Sequence, residues 1–398
     1  MNKSALVLSV YVPTFLLAFG QGMTVPTLPL YVQQGFEESF SLISLVVAAA
    51  GIGTVVSDVP SGILLGKLGR RRAMLVGTGL IVLTSAGLAV AAAYWHLIVL
   101  RLGFGVGTAL WNISRMTYLT EQTTLSNRGR ALSAFGGISR FGTFAGPGVG
   151  GLMASFFGLS SPFLGAAALA FGAMVVSVAF VHDSSTTATR RGHKMRWSLL
   201  GEVARSHWKE LTTAGAAQVF VQMIRQGRQI IVPLYGASLG LDVAAIGSIV
   251  SFSAAVDMSL FIPAGLVMDR FGRKFATVPS FVVMGLGMAL IPLASDYTGL
   301  AVATAVIGLG NGLSSGSMFT LGADLAPKEA AAEFLGIWRF VGDVGSTGGP
   351  LVVGGVADLL GLSLAAVSLA GIGWLAAITL TLFVKETLGS EPVAEASA

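Results

Sequence analysis

The chain of 398 residues is 54% hydrophobic and only 11% charged, whereas soluble domains carry about a quarter charged residues. This composition excludes a soluble enzyme or a soluble nucleic-acid-binding domain, and it predicts a polytopic membrane protein. The chain has no cysteine, which excludes disulfides, thiolate metal sites and cysteine nucleophiles. The net charge of +5 does not indicate a nucleic-acid partner, because the basic residues cluster between apolar runs.

Apolar runs long enough to cross a bilayer as helices follow one another along the chain. We predict spans at 6–33, 40–66, 73–94, 96–122, 129–157 and 160–181, and again at 208–238, 243–268, 275–294, 297–324, 331–359 and 363–384. The first run is predicted to be a span rather than a signal peptide. We therefore expect an N-terminal six-helix bundle at 1–181, a cytoplasmic linker at 182–207 with an amphipathic helix near 195–203, and a C-terminal six-helix bundle at 208–398.

The two predicted bundles are related by a sequence repeat at an offset of 203 residues. The basic turn after span 2, Gly62–Arg71, resembles Gly265–Lys274 after span 8. The same offset relates the glycines of spans 4 and 10 and the Gly-Pro segments of spans 5 and 11, namely Gly105 to Gly308, Gly107 to Gly310, Gly146 to Gly349 and Pro147 to Pro350. A repeat of about half the chain indicates two copies of one folding unit.

Lysine and arginine predict the orientation in the membrane. Of 24 such residues, 18 lie at the termini or in the turns after even-numbered spans, and none lies in the loops after odd-numbered spans. Because cytoplasmic loops are enriched in these residues, we expect both termini to be cytoplasmic, in a bacterial plasma membrane. The other six lie inside predicted spans together with three acids: Arg101, Arg115, Arg140, Arg225, Arg228 and Arg339, with Asp58, Asp257 and Asp343.

Twelve spans in two repeats, with this basic turn after spans 2 and 8, resemble the major facilitator superfamily. Three further segments are similar to signatures of its twelve-helix drug:proton antiporter branch: Pro26–Pro29, Arg101–Ala109 and Gly142–Gly151. The resemblance implies an all-α membrane fold of two pseudo-symmetric six-helix bundles working by alternating access. It also implies that Arg101 takes part in proton transfer.

The chain departs from the family pattern at two points. The aspartate of the basic turn is kept as Asp269 in the second copy but is Gly66 in the first, where Asp58 could partly substitute. Members of the branch that export cations usually carry an acid in helix 1, and this chain has none between Lys3 and Glu37. Cation export is therefore not supported.

The charges inside the spans predict an anionic or zwitterionic substrate. Six arginines against three aspartates leave an excess of positive charge, and a charge at this depth must be paired or line a wet cavity. Arginine binds carboxylates and phosphates through two parallel hydrogen bonds. The candidate substrate-binding residues are Arg140, Arg225, Arg228, Gln222, Gln226, Asn112, Trp111 and Tyr235. A wet structural network or aromatic packing is the alternative for this set.

Asp257, Asp343 and Arg101 are the candidates for proton coupling. The alternatives are that Asp257 pairs with Arg225 or Arg228, that Arg101 binds backbone carbonyls, and that Asp343 forms a salt bridge with Arg140. A third set is expected in gating or close helix packing: Asp58, Gly62, Arg70, Arg115, Gly146, Pro147, Gly265, Asp269, Arg273, Arg339, Gly349 and Pro350.

These features predict a monomeric, proton-coupled secondary transporter that exports an amphiphilic organic anion or zwitterion. Its partners would be the substrate, protons and the lipid bilayer. Uptake of a small carboxylate by proton symport remains an alternative, as does a membrane sensor or lipid-handling protein on the same fold. The chain has no clustered catalytic set, no phosphate-cradling loop and no histidines at ligand spacing, so we expect neither an enzyme nor a bound metal or cofactor.

Overall fold

The protein is helical throughout, in a computed structural model that describes residues 6–123, 125–181 and 197–388, without the side chains of 125–130, 197, 198 and 332. These ranges contain no strand. They confirm the predicted all-α fold of twelve membrane-spanning segments in two pseudo-symmetric six-helix bundles. Residues 182–196 of the predicted linker lie outside the described residues.

A π-helical turn, Val7–Tyr11, opens the N-terminal half. Seven α-helices follow in the described part of this half: α1 (Val12–Thr24), α2 (Thr27–Phe36), α3 (Phe40–Leu68), α4 (Arg70–Ala89), α5 (Tyr94–Gln122), α6 (Leu125–Phe157) and α7 (Ser161–Phe180). The single helix predicted for span 1 is interrupted between α1 and α2. Pro26 lies at this point and has no backbone N–H to continue the ladder of hydrogen bonds.

The linker helix and the C-terminal half continue the series. They contain α8 (Trp197–Ser206), α9 (Trp208–Ser238), α10 (Val243–Ser259), α11 (Phe261–Phe271), α12 (Arg273–Leu290), α13 (Tyr297–Leu313), α14 (Ser317–Leu325), α15 (Ala331–Leu360) and α16 (Leu362–Phe383). Short 3-10 turns occupy Ile291–Leu293 and Lys328–Ala330. Spans 8 and 10, predicted as continuous helices, are interrupted between α10 and α11 and between α13 and α14. Their counterparts α3 and α5 are continuous.

The repeated basic turn depends on a glycine at the same place in each copy. Gly69 separates α3 from α4 with φ +79°, and Gly272 separates α11 from α12 with φ +112°. A side chain with a Cβ atom rarely adopts such an angle, so glycine is required for the chain to reverse here. The offset of 203 residues that relates these two positions is therefore a property of the backbone as well as of the sequence.

Helix packing repeats in the same way. In the N-terminal half α4 packs against α5 and α7, and in the C-terminal half α12 packs against α13 and α16. A Cβ atom on Gly107 would lie 2.8 Å from the carbonyl oxygen of Gly77, and one on Gly310 would lie 2.6 Å from the backbone nitrogen of Met284. Close approach of helices in a bilayer requires such small residues.

The described residues form two compact units. Unit 1 lies within Met1–Gly192 together with Gly236–Ser251, and unit 2 lies within His193–Tyr235 together with Phe252–Ala398. Nine helical spans of the described chain are long and apolar enough to cross a membrane. The other three long helices, α6, α9 and α15, contain the arginines of spans 5, 7 and 11. The chain is therefore a multi-pass membrane protein.

Candidate functional site

Helix α5 presents a stripe of polar and aromatic side chains to a cavity inside unit 1. Arg101, Phe104, Thr108, Trp111 and Arg115 are spaced by three or four residues, so they lie along one face of the helix. The cavity has a volume of about 260 Å³. Its walls also include side chains of α1, α4, α6 and α7, among them Thr14, Gln21, Thr24, Ser85, Ser139 and Phe163.

Arg115 is held in a defined position on this wall. One of its Nη atoms donates to Oδ1 of Asn112 over 2.8 Å. The guanidinium group lies 4.4 Å from the ring centroid of Phe135 and 5.6 Å from that of Trp111, within the range of cation–π attraction. Arg115 was predicted to act in gating. In the structure it also lies on the cavity wall beside Trp111 and Asn112, two predicted substrate-binding residues.

Two buried donors near Arg115 have no hydrogen-bond partner among the described residues. They are the indole N–H of Trp111, a residue only 2% exposed, and the Nε–H of Arg115. A buried donor without a partner costs about 1–3 kcal/mol. Both residues belong to the cavity wall, and the described part of the protein leaves these two donors unused.

Arg101 lies at the other end of the stripe. Its Nε donates to the carbonyl oxygen of Val46 on α3 over 3.4 Å, and its guanidinium lies 5.2 Å from the ring centroid of Phe104. Arg101 therefore makes the hydrogen bond to a backbone carbonyl that was the alternative to a role in proton transfer. Neither Arg101 nor Arg115 forms an ion pair with a described side chain. None of the side chains that line the cavity is acidic.

Unit 2 contains a buried acid in a polar cluster. Asp257, only 7% exposed, accepts a hydrogen bond from Nδ2 of Asn311 over 2.5 Å, and Nη2 of Arg228 lies 3.7 Å from the same carboxylate oxygen. The pairing with Arg228 that was the alternative to proton coupling for Asp257 is thus present. Asn311 was not singled out from the sequence, although it follows Gly310 of the repeated motif.

This cluster lies at the two helix interruptions of unit 2. Asp257 is in the last turn of α10, and Asn311 is in the last turn of α13. Beyond Asn311 the helix stops at Ser314, and Gly316 has φ +79°. One Nη of Arg225 donates to the carbonyl oxygen of Ser314 over 3.2 Å and to its hydroxyl over 2.7 Å. Arg225 therefore joins α9 to the residue at which α13 ends, where the same carbonyl also accepts from the N–H and the hydroxyl of Ser317.

The Gly-Pro segment of α6 packs against α1, and the hydroxyl of Ser251 joins two backbone groups of this segment. A Cβ on Gly146 would lie 2.7 Å from Cα of Gly22, so the two backbones are in direct contact. After Pro147, the hydroxyl of Ser251 accepts from the N–H of Gly148 over 2.7 Å and donates to the carbonyl of Phe144 over 2.8 Å. This serine is thus inserted into the helical ladder at the proline. No motif in the sequence indicates this role for Ser251.

The basic turns form local ion-pair networks. Arg70, buried in the first turn of α4, forms an ion pair with Glu121 of α5. Arg273 in the equivalent turn donates to Asp324 over 2.9 Å and to Asp269 over 3.4 Å. Both arginines fasten the start of a helix to a neighbouring segment of their own unit.

The remaining predicted site residues stay predictions. Arg339 lies 3.7 Å from Asp343, one turn away on α15, and the pair is partly exposed. Half-buried positions on long helices are occupied by Arg140, Asp58, Gln222 and Gln226, whereas Tyr235 is buried. A Cβ on Gly62 or Gly265 would meet no other atom within 4 Å, so the structure shows no close packing at these two glycines. Among the described residues no group of three His, Cys, Asp or Glu could hold a metal ion.

Comparison with known proteins identifies the family. The model of the Major Facilitator Superfamily matches residues 10–224 and again residues 214–397. The multi-drug resistance efflux pump PmrA homolog of Lactococcus lactis is 25% identical over 366 residues, which cover 88% of this chain and 87% of that protein. The quinolone resistance protein NorA of Staphylococcus aureus is 23% identical over 375 residues, covering 90% and 91%.

Solved structures show the same fold. A D-xylose-proton symporter superimposes with a TM-score of 0.78 at 17% identity, over 98% of this chain and 100% of that one. A nucleoside transporter gives a TM-score of 0.77 at 16% identity over 97% and 100%. The family match extends over nearly the whole chain and occurs twice, once in each half, as the sequence repeat requires. The chain therefore belongs to the Major Facilitator Superfamily of membrane transporters.

Proposed function

We propose that this protein is a proton-coupled secondary transporter that exports an amphiphilic organic anion or zwitterion by alternating access. The observation that carries the proposal is the buried Asp257 beside Asn311 and Arg228, at the interruptions of two spans. A titratable acid inside a membrane protein is by default a functional group, and interrupted helices mark ion and substrate sites in transporters.

Protonation of Asp257 would change the cluster in a defined way. The charged carboxylate accepts the amide hydrogen of Asn311 and attracts the guanidinium of Arg228. A proton on this carboxylate removes the attraction to Arg228 and leaves α10 and α13 joined by a weaker, neutral hydrogen bond. Because both helices are interrupted next to these residues, gain or loss of one proton can favour one conformation of the interruptions over another.

The excess of arginine over acid supports an anionic cargo. Arg101 and Arg115 line a cavity whose described walls contain no carboxylate, and such a site favours a negative ligand. Two relatives are named as an efflux pump and a drug-resistance protein, which supports export as the direction. The distribution of lysine and arginine supports cytoplasmic termini in a bacterial plasma membrane.

The test measures proton movement with a probe that does not carry protons across lipid by itself. Purified protein is reconstituted in liposomes that contain a pH-sensitive dye, and naphthalene-2-sulfonate is supplied under an imposed pH gradient. Antiport predicts that the sulfonate and protons move in opposite directions. Movement in the same direction would instead identify a symporter, and no sulfonate-dependent proton movement would indicate a sensor or lipid-handling protein.

Two variants on one helix localise the coupling. Asp257→Asn should abolish sulfonate-dependent proton movement but preserve exchange of labelled for unlabelled sulfonate. Asp242→Asn is the matched control, because Asp242 accepts the N–H of Ala245 at the other end of α10 and asparagine caps a helix equally well. Full proton coupling in the Asp257 variant would refute the assignment of the coupling acid.

A further inference from the structure

We propose that Arg115, Asn112 and Trp111 of α5 form the binding site for the anionic head group of the cargo, a carboxylate or a sulfonate. The apolar body of the cargo then lies along the cavity on Phe104 and Phe163. This inference rests on the proposed function, since it names the site and class of the transported molecule. Binding can nevertheless be measured without transport.

The first support is the set of hydrogen-bond donors at this end of the cavity. Arg115 uses one Nη on Asn112 and keeps a buried Nε–H without a partner among the described residues, and the same is true of the indole N–H of Trp111. Asn112 is a cavity-lining residue whose carbonyl oxygen faces Arg115, so its own amide hydrogens can serve a ligand. Guanidinium, indole and amide donors together suit an oxyanion with several acceptor oxygens.

The second support is that Arg115 is fixed before a ligand binds. Its guanidinium is held by Asn112 and lies over the rings of Phe135 and Trp111. A preorganised donor loses little conformational freedom on binding, which strengthens the interaction with an anion.

The distance between Arg115 and Arg101 along α5 is the third support for this site. Arg115 lies fourteen positions after Arg101 on the same helix, a rise of about 21 Å, so one small head group cannot contact both. Arg101 uses its Nε on the carbonyl of Val46 and lies over Phe104, and among the cavity-lining residues only Trp111 and Arg115 have a buried donor without a partner in the described chain. The donors therefore converge at Arg115, and the aromatic surface extends from there towards Arg101.

The cavity size sets the class of ligand. Its volume of about 260 Å³ is a little below the about 300–1,000 Å³ typical of small-molecule pockets. A head group with one or two aromatic rings suits this space, and phenylalanine and tryptophan side chains provide the apolar contacts for the rings.

The test is equilibrium binding to the purified full-length protein in detergent, with no gradient present. Naphthalene-2-sulfonate is compared with its neutral sulfonamide and with the 2-naphthyltrimethylammonium cation, and tryptophan quenching reports binding. We expect saturable binding of the sulfonate, about tenfold or more tighter than that of the neutral or cationic analogue, because hydrogen bonds to a charged group are the strong ones. Trp111→Phe should remove most of the quenching.

Two arginine variants decide where the head group lies. Arg115→Gln should weaken sulfonate binding by about 10- to 100-fold. Arg101→Gln removes the same charge from the same cavity, yet it should change affinity by no more than about threefold, because Arg101 is too far along α5 to make a direct hydrogen bond to a head group at Arg115. Equal losses in both variants, or no loss in Arg115→Gln, would overturn the proposal.

A variant could lose binding because it misfolds rather than because the head-group site is lost, and proton-coupled transport could fail although the site is correct. The following measurements separate these cases. Each variant is checked by size-exclusion chromatography, and Arg115→Lys keeps the charge while losing the planar fork, so its affinity should fall between those of Arg115→Gln and the wild type. If Arg115→Lys binds the sulfonate as tightly as the wild type does, only the charge matters and a directed head-group contact by the guanidinium is excluded. If binding behaves as predicted but no proton moves in liposomes, the site stands and proton-coupled transport is refuted.

Discussion

Adding a side chain where α6 packs on α1 should destabilise the protein, and the distances at Gly146 indicate by how much. An alanine Cβ at Gly146 would lie 2.6 Å from the carbonyl oxygen of Phe19 and 2.7 Å from Cα of Gly22. Both contacts are with backbone, so no side chain can turn away and the two helices must separate. Overpacking of this kind costs about 1–3 kcal/mol. Gly146→Ala should therefore destabilise unit 1.

A second glycine on the same helix provides the matched control. A Cβ at Gly136 would meet no other atom within 4 Å. Alanine is about 1 kcal/mol more favourable than glycine inside a helix, so Gly136→Ala should be neutral or stabilising. The same gain partly offsets the overpacking in Gly146→Ala, and the two variants should differ by about 1–3 kcal/mol in free energy of unfolding.

The assay is thermal unfolding of the detergent-purified protein, followed by intrinsic tryptophan fluorescence. The midpoint for Gly146→Ala should lie several degrees below that of Gly136→Ala. Gly349→Ala in the second repeat should behave like Gly146→Ala, because its Cβ would lie 2.8 Å from Cα of Met223. Unchanged midpoints for both Gly146→Ala and Gly349→Ala would refute the close packing on which the repeat argument depends.

Three further variants test local features of the fold. Ser251→Ala removes the hydroxyl that joins Gly148 to Phe144, so it should cost about 1–3 kcal/mol in the same thermal assay, and a wild-type midpoint would contradict a stabilising role for this hydroxyl. Arg225→Met removes the Nη that donates to both oxygens of Ser314, so backbone amides of 314–317 should exchange hydrogen faster by mass spectrometry, and unchanged exchange would contradict a stabilising role for these two hydrogen bonds. Burial raises the pKa of Glu386, but hydrogen bonds from four backbone N–H groups outweigh it and lower that pKa overall. The resulting stability is present above the unfolded pKa, about 4.3, and is lost as the pH falls through the lower folded pKa. Glu386→Gln should therefore reduce the unfolding midpoint at pH 7, and this reduction should shrink as the pH is lowered through the acid range; a reduction of equal size at every pH would contradict this.

The repeat predicted much of the fold because it records backbone geometry. Gly69 and Gly272 share a left-handed conformation, and Gly107 and Gly310 share a close helix approach that a Cβ would block. Such requirements leave a glycine in the sequence at a fixed offset. Spans defined by apolar runs were placed well for the same reason, since bilayer thickness sets their length.

The interruptions of spans 8 and 10 could not be predicted in this way. Ser314 and Gly316 lie in an apolar run of small residues, which is equally typical of a continuous membrane helix. Pro263 after the first interruption is matched by Pro60 inside the continuous α3, so proline alone does not decide the outcome. What differs is the polar environment of unit 2, where Arg225 donates to the carbonyl of Ser314.

Part of the cavity wall of unit 1 could be predicted from the sequence. The stripe from Arg101 to Arg115 follows helical spacing, and grouping these residues by face would have placed both arginines with Trp111 and Asn112. Depth along the span alone assigned Arg115 to gating. The position of the Arg115 guanidinium also depends on Phe135 of α6, which no pattern within α5 reveals.

The central claim is that an organic anion and a proton are alternately bound by this protein, and its most direct test is proton release on binding. Naphthalene-2-sulfonate, adjusted to the pH of the protein solution, is added to purified protein in weak buffer, and the change in bulk pH is recorded with a soluble indicator. The account predicts proton release that saturates with sulfonate binding and that disappears in Asp257→Asn. Saturable binding with no proton release, or release that persists in Asp257→Asn, would contradict it.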